Sequence, residues 1–340
     1  MKKNFSVFLA LYFCTLFLVT PRLLFAQNID DKQEMREEVR GIEGRAKLPP
    51  FKFTTNAGAF FGYDSNVNLS PLKKGDLFEE GLLSAAFSKY LFDKSLRLTV
   101  NYDFDALVYN EMTDATNILN HVRMGLHKRI FSSFDIGTGY DLSAFYYPHN
   151  EDGTFLFHKC FAYTRQYLSR KFYHQLMYNA GYKIHTDRKA LAVTPGTYQN
   201  KELESRRHEI EYSVAALPFK GVTTGMSGRF TINDSNAKYL NFYDYKTYEA
   251  APYVSLRLTD RARLNTSFRY IRRNYKSRII TTGTGAKEHD NIYLTTVNLK
   301  YNLNQNNVLS LIYTYRDNST NEPLEEYQEN VISVGWQYYF

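Results

Sequence analysis

From residue 51 to its C-terminus the sequence alternates apolar and polar residues, and this pattern limits the possible folds more than any other feature. In the last segment, ISVGWQYYF at 332–340, nearly every second residue is aliphatic or aromatic. Successive side chains of a strand point to opposite faces, so each such segment predicts a strand with one apolar and one polar face. We delimit about fourteen segments, near residues 51–63, 79–91, 95–108, 117–130, 133–146, 154–168, 171–184, 203–217, 220–233, 243–258, 261–275, 289–303, 306–316 and 327–340.

The apolar faces of these segments favour a membrane location. No stretch after residue 26 approaches the roughly 20 apolar residues of a transmembrane helix, yet aromatics make up 16% of the chain and 29 residues are Tyr. Tyr is enriched at membrane interfaces, and only helices and closed barrels satisfy every backbone group within hydrocarbon. We predict an all-β fold, a transmembrane antiparallel up-and-down β-barrel of about 14 strands. The alternative is a soluble β-sandwich, whose buried faces should be richer in Val and Ile.

The connections between the segments fall into two classes. Tight turns are predicted near residues 93–94, 131–133, 169–170, 218–221, 259–261 and 304–306, whereas stretches such as 64–76, 185–202 and 276–288 are long and polar. Outer-membrane barrels have short periplasmic turns and longer external loops. Both termini are therefore predicted to be periplasmic, and the last strand should pair with the first.

The N-terminal residues predict export. Lys2 and Lys3 precede an apolar run and LFA at 24–26, which is typical of a secretory signal peptide spanning 1–26. Residues 27–50 carry Met35, Val39 and Ile42 at helical spacing and end in two prolines, indicating a short amphipathic helix. This periplasmic leader could be solvated, plug the barrel or dock a partner. The barrel would occupy 51–340.

The inward faces predict a charged lumen. Fourteen strands lie between the eight that side chains can fill and the sixteen that enclose an open channel, so we expect a narrow aqueous lumen. Alternation assigns to it Arg123, Arg229, Arg257, Arg263, Arg269, Lys300 and Arg316, facing Asp103, Asp105, Asp141, Glu209, Glu211 and Glu249. The basic residues concentrate toward the C-terminal strands, so the lumen could carry a transverse field that selects solutes. Alternatively, these residues only pair and stiffen the barrel.

Neither a catalytic motif nor a metal site can be recognised. His121 and His127 share an inward face, but their spacing does not place three ligands around one ion. The net charge of +7 includes three cations of the predicted signal peptide and is too mild to indicate nucleic-acid binding. We predict no enzyme activity, no cofactor and no metal.

The C-terminus resembles the signal that the barrel assembly machinery reads in bacterial outer-membrane proteins. That signal has a polar residue, a glycine and alternating hydrophobics ending in an aromatic; Ser333, Gly335, Tyr338 and Phe340 occupy these positions. The resemblance implies insertion into the bacterial outer membrane, with its lipid and the assembly machinery as partners.

A second stretch, GYDSNVNLSP at 62–71, is similar to the start of the barrel in surface lipoprotein assembly modifier (Slam) proteins. Those barrels also have fourteen strands but typically follow an N-terminal helical repeat domain, in place of which this chain has about twenty residues. The matching residues are Gly62, Tyr63, Asp64, Ser65, Asn66, Val67 and Asn68. The resemblance implies help in exporting a lipoprotein. A local interpretation is that Asp64, Ser65 and Asn66 start a turn where the strand leaves the membrane.

Three functions follow from these patterns. The charged lumen favours a porin-like channel for small polar solutes. The stretch at 62–71 favours a Slam-like barrel that assists lipoprotein export. A non-conducting surface barrel, an adhesin or a structural protein, is the third alternative.

Overall fold

The computed structural model describes residues 51–92, 96–281 and 285–340. The predicted signal peptide, the leader at 27–50 and the turn at 93–94 lie outside these residues. Within them the chain forms fourteen antiparallel strands in one closed barrel. The strands are β1 (Phe51–Asp64), β2 (Asp76–Leu91), β3 (Leu96–Tyr109), β4 (Asn117–Phe131), β5 (Phe134–Tyr146), β6 (Phe155–Ser169), β7 (Phe172–Leu191), β8 (Tyr198–Ala216), β9 (Val222–Ser235), β10 (Tyr245–Arg257), β11 (Ala262–Ile279), β12 (Lys287–Asn302), β13 (Asn307–Thr320) and β14 (Tyr327–Tyr339).

Each strand pairs with its neighbours in sequence, and β1 pairs with β14 to close the barrel. The closing register places Asn56 opposite Tyr339 and Asp64 opposite Val331. This confirms the predicted fold class. The described connections are short at one end, which also holds residues 51 and 340 and is called the short-turn end. The opposite end is called the long-loop end, and three short 3₁₀ helices, Thr113–Ala115, Glu151–Gly153 and Pro323–Glu325, lie in its loops.

Two predicted loops are largely strand. β7 continues to Leu191 and β8 begins at Tyr198, so most of the stretch 185–202 is a hairpin. Likewise β11 continues to Ile279 and β12 begins at Lys287. These strand extensions are not recognisable from the sequence, because beyond the apolar belt both faces of a strand can face water and apolar residues need not alternate with polar ones.

The outer face of the barrel is apolar over most of its strands. Leu309, Leu311, Ile332 and Val334 are among its exposed aliphatic side chains. Exposed aromatics cluster at the short-turn end, at Phe51, Phe92, Phe131, Phe219 and Phe340, and at the other end Tyr63, Tyr146 and Tyr248 are also exposed. Apolar bands flanked by aromatics are typical of transmembrane barrels. Among the described residues, no helix is long and apolar enough to cross a membrane.

Inward-facing glycines make room for aromatic rings on neighbouring strands. A Cβ added to Gly335 of β14 would overlap the ring of Phe60 of β1, which is 3% exposed. In the same way Gly139 and Gly137 of β5 lie beneath Phe161 and Tyr163, their register partners on β6. These contacts let large rings lie flat along the barrel wall.

The β1–β2 loop (65–75) folds inward over the long-loop end. Asp64 and Asn66 are fully buried, and Tyr109 of β3 donates a hydrogen bond to Asp64 Oδ2 at 3.0 Å. The Asn66 amide donates to the carbonyl oxygens of Ser70 and Gln328, both at 2.9 Å. The stretch at 62–71 therefore fastens this loop to β3 and to the start of β14.

Hydrophobic clusters complete this end of the barrel. One joins Val67 of the β1–β2 loop to Phe78, Leu107, Tyr109, Ala115 and Val331, and another joins Phe242 and Tyr243 of the β9–β10 loop (236–244) to Ala190, Leu191, Leu203 and Ala237. The stretches 185–202 and 276–288, predicted as long polar loops, are largely strand, and the loops that cover the interior are 65–75 and 236–244. The long-loop end is thus narrower than the barrel itself.

Candidate functional site

The barrel encloses a cavity of about 300 Å³ lined by inward-facing residues of β4 to β11 and by Tyr243 of the β9–β10 loop. Its lining is rich in charge, with eight cationic side chains against four carboxylates. The cations are Arg123, Lys159, Arg165, Lys183, Arg207, Arg229, Arg269 and Arg273, and the carboxylates are Asp141, Glu209, Glu211 and Glu249. Counting only its Lys, Arg, Asp and Glu side chains, the lining carries an excess of four positive charges. Such an excess attracts anions and repels cations.

The carboxylates of one wall are held in a chain of ion pairs across β8 to β11. Arg229 Nη2 lies 2.6 Å from Glu211 Oε2, and Arg229 Nη1 lies 3.7 Å from Glu249 Oε2. Arg269 Nε lies 3.3 Å from the other oxygen of Glu249. The negative charge on this wall is therefore largely matched within the chain.

On the opposite wall, cations lie against aromatic rings. The Arg123 guanidinium is 4.5 Å from the Phe161 centroid, and Lys183 Nζ is 3.5 Å from the Phe155 centroid. Arg207 lies 5.2 Å from the Phe157 centroid. These rings come from β6, and two of them lie over glycines: Phe161 over Gly139 of β5 and Phe157 over Gly181 of β7. Stacking on a ring face is favourable and fixes the position of each cation.

A histidine of β4 links two carboxylates, and a lysine pairs with one of them. His121 Nε2 lies 2.8 Å from Asp141 Oδ1, and His121 Nδ1 lies 3.3 Å from Asp103 Oδ2. Lys159 Nζ lies 3.2 Å from the second Asp141 oxygen. This group is an ion cluster. His127, the second inward histidine of β4, is hydrogen-bonded to Tyr163 and Thr99 instead.

A tyrosine hydroxyl at the long-loop end adds a neutral polar group. Burial raises the pKa of Tyr243, so its hydroxyl stays protonated at neutral pH and can donate a hydrogen bond. Arg188 lies beside this ring, 5.4 Å from its centroid.

The thirteen residues predicted to line the lumen are distributed along the interior. Seven of them line the cavity: Arg123, Asp141, Glu209, Glu211, Arg229, Glu249 and Arg269. Asp103 reaches it through His121, and Asp105 is buried on the same face of β3. Arg316 is buried against Glu329 with 3.2 Å between Nη1 and Oε2. Arg257, Arg263 and Lys300 lie toward the short-turn end, where Arg257 pairs with Asp260 of its own turn. A role of these residues in selectivity stays a prediction.

Five cations of the lining were not predicted: Lys159, Arg165, Lys183, Arg207 and Arg273. Four of them belong to β6, β7 and β8, so the positive charge is not concentrated on the C-terminal strands as expected. For Lys159 and Arg165, alternation failed because Phe155, Phe157 and Phe161 also face inward, which reduces the contrast between the two faces of β6. Aromatic residues opposite glycines were the signal that could have identified this wall.

The closed barrel, its apolar outer face and its charged interior define the architecture of a bacterial outer-membrane β-barrel. No protein-family model matches the chain, and a comparison with curated proteins finds no match. Comparison with solved structures finds many barrels. The outer-membrane channel DcaP of Acinetobacter baumannii has a TM-score of 0.51 at 8% identity, covering 85% of this chain and 97% of its own.

Two further solved structures are similar. The anion-selective porin of Comamonas acidovorans has a TM-score of 0.49 at 9% identity, covering 85% of this chain and 99% of its own. A loop-deletion mutant of OmpT, an outer membrane protein of Vibrio cholerae, has a TM-score of 0.49 at 11% identity with the same coverage. At these identities the likeness concerns the fold alone. The comparisons give no support to the resemblance to Slam proteins.

The prediction that the chain is not an enzyme is wrong as a firm statement. The similar structures include OmpT of Vibrio cholerae at 11% identity as well as porins and channels, and a fold shared at that level does not exclude catalysis.

Proposed function

We propose that the chain is a porin-like channel of the bacterial outer membrane that passes small polar solutes and prefers anions. The observation that carries this proposal is the cavity of about 300 Å³ inside the barrel, lined by eight cations and four carboxylates. A pore wall with a net charge of one sign concentrates solutes of the opposite sign.

The arrangement of these charges supports the same preference. Arg229 and Arg269 hold Glu211 and Glu249 in ion pairs, whereas Arg123, Lys183 and Arg207 lie on aromatic rings of β6. An aromatic ring carries no net charge, so these contacts position the cations without reducing the positive excess of the lining. An entering anion would therefore meet the positive wall formed by β4 to β8.

The proposal extends to location and assembly. The C-terminal strand carries Ser333, Gly335, Tyr338 and Phe340 in the pattern that the barrel assembly machinery reads, and Phe340 is exposed at the short-turn end. With the signal peptide removed on export, both termini would lie in the periplasm. The narrower long-loop end would then face the exterior and limit passage to small solutes.

Uptake of size-matched sugars into proteoliposomes tests the channel. Gluconate, glucose and glucosamine are similar in size and differ in charge at neutral pH. We expect uptake in the order gluconate, glucose, glucosamine, because the lining carries an excess of positive charge. The absence of uptake of all three relative to protein-free vesicles would overturn the channel proposal, and faster entry of glucosamine would overturn the anion preference.

Lipoprotein export is the weaker candidate. Asp64 and Asn66, which carry the resemblance to Slam proteins, are buried in hydrogen bonds that hold the β1–β2 loop in place. This local role accounts for the residues without a cargo. The same uptake experiment distinguishes a non-conducting surface barrel from a channel, since a non-conducting barrel would admit none of the three sugars.

A further inference from the structure

A cluster of buried carboxylates lies at the long-loop end, on segments that contribute no residue to the cavity lining. Glu288 and Asp290 extend from the start of β12, and Glu325 extends from the 3₁₀ helix of the β13–β14 loop. One ligand atom of each lies within 4.8 Å of the others. Among the residues that the structure describes, this is the one group of three acidic, histidine or cysteine side chains that meets in this way.

Buried oxygen atoms of the cluster lack a hydrogen-bond partner. Glu288 is 2% exposed and Asp290 is 3% exposed, yet Glu288 Oε1 and Asp290 Oδ1 have no donor within reach among the described residues. Asn318, on the adjacent strand β13, donates its amide to the Glu325 carbonyl at 2.7 Å, and its buried Oδ1 also has no donor. Leaving buried acceptors unmatched is costly, so these unpartnered oxygens favour a ligand that supplies positive charge.

Neighbouring arginines match only part of the negative charge. Arg278 Nε lies 2.6 Å from Glu288 Oε2, and its Nη2 contacts Glu325. Arg273 Nη1 lies 3.6 Å from Asp290 Oδ2.

A fourth carboxylate belongs to the same region. Glu322 accepts hydrogen bonds from the backbone and hydroxyl of Thr281 at 2.5 and 2.7 Å. Counted with every carboxyl group ionised, four carboxylates face two guanidinium groups in a buried site, an excess of two negative charges. A single divalent cation would balance this excess.

We propose that Glu288, Asp290 and Glu325 bind a hard divalent cation of the Ca²⁺ type, with the Asn318 carbonyl oxygen as a further ligand. Carboxylate and amide oxygens are the ligands that Ca²⁺ prefers, and it tolerates irregular geometry. The set contains neither the nitrogen nor the sulfur ligands that are typical of zinc sites. This proposal revises the expectation, drawn from the histidines, that the chain has no metal site.

Bound there, the cation would fasten several parts of the long-loop end. Its ligands belong to β12, to β13 and to the β13–β14 loop. Arg278, which contacts Glu288 and Glu325, lies 4.5 Å from the Phe242 centroid of the β9–β10 loop. The ion would therefore stabilise the loops that cover the interior, whether or not the barrel conducts.

Terbium luminescence tests the site in the purified, refolded barrel in detergent without lipopolysaccharide. Tb³⁺ binds at Ca²⁺ sites, and tyrosine excitation sensitises it at short range; Tyr275 Oη lies 3.3 Å from Asp290 Oδ2. We expect a saturable signal that Ca²⁺ displaces. The double variant Glu288→Gln with Asp290→Asn should weaken binding by about a hundredfold or more, since each of the two lost carboxylates removes at least about 1.4 kcal/mol of attraction, or about tenfold in affinity.

A neighbouring glutamate provides the matched control. Glu326 follows Glu325 directly but is exposed, so Glu326→Gln should bind Tb³⁺ and Ca²⁺ as the wild type does. The proposal is overturned if the wild type gives no Ca²⁺-displaceable signal at millimolar concentrations. It is equally overturned if the double variant binds as tightly as the wild type, because the ions would then lie elsewhere.

A measurement on the wild type alone covers the case in which the double variant fails to fold. Ligand binding to the folded state raises its stability. Millimolar Ca²⁺ should therefore raise the urea midpoint of unfolding relative to a chelator. An unchanged midpoint would mean that Arg278, Arg273 and protons suffice to balance the cluster, and would reject the cation.

Discussion

Replacing Gly335 with alanine should destabilise the barrel where its last strand meets its first. The new Cβ would overlap the ring of Phe60, which lies flat against Gly335 and is 3% exposed. Overpacking of this kind costs about 1–3 kcal/mol, and the upper half of that range is expected because the ring is enclosed by β1 and β14. Gly81→Ala is the matched control, since a Cβ there meets no atom within 4 Å.

Urea unfolding followed by fluorescence measures the effect. The chain has one tryptophan, Trp336, which adjoins Gly335 on the outer face of β14 and reports directly on this strand. Phe60→Ala removes the ring and should relieve the overlap, so the double variant with Gly335→Ala should be about 1–3 kcal/mol more stable than the sum of the single effects predicts. Strictly additive effects, or a loss as large in Gly81→Ala, would refute the reasoning. Refolding in vitro keeps the result independent of the assembly machinery.

One deletion and two substitutions test the C-terminal signal, the β1–β2 loop and the charged cavity. Deleting Phe340 should impair assembly in cells but barely change refolding in vitro, because its backbone N–H makes one 3.1 Å hydrogen bond and its ring is exposed. If the shortened chain assembles in cells as well as the wild type, the C-terminal residues are not an assembly signal. Asn66→Ala should lower the free energy of unfolding by about 1–3 kcal/mol through its lost buried hydrogen bonds, measured by urea unfolding, while Asn68→Ala in the same loop should change it less. Arg207→Gln should reduce the permeability ratio of chloride over potassium, whereas Arg206→Gln, on the opposite face of β8, should leave that ratio unchanged. If the two variants change the ratio equally, the cavity is not the region that selects anions.

The fold could be predicted because lipid imposes a strict rule on one face of each strand. Leu309 and Leu311 must be apolar where they meet the membrane, so alternation reveals β13 at once. The rule ends at the membrane boundary. The extension of β7 to Leu191 lies beyond that boundary, where both faces of a strand can carry polar residues. This part of β7 was therefore predicted as a loop.

The interior could be predicted only in part. Arg229 and Glu211 are recognisable as inward residues from alternation, but their 2.6 Å contact depends on the register of β8 and β9, which the sequence does not fix. Lys159 and Arg165 were missed because inward-facing rings reduce the contrast between the two faces of β6. Arg207 lies on the same face of β8 as Glu209 and Glu211, so alternation could have assigned it to the interior. The carboxylate cluster was missed for another reason: Glu288 and Glu325 are 37 positions apart and meet only when β12 and the β13–β14 loop are in place.

The reversal potential of the wild-type protein in a planar bilayer with a tenfold KCl gradient tests the central claim most directly. An excess of four positive charges in the lining predicts a conducting pore whose reversal potential has the sign of chloride preference. It also predicts that the preference weakens at high salt, because screening shortens the reach of the lining charges. A potassium-preferring reversal potential, or no conductance at all, would contradict the account.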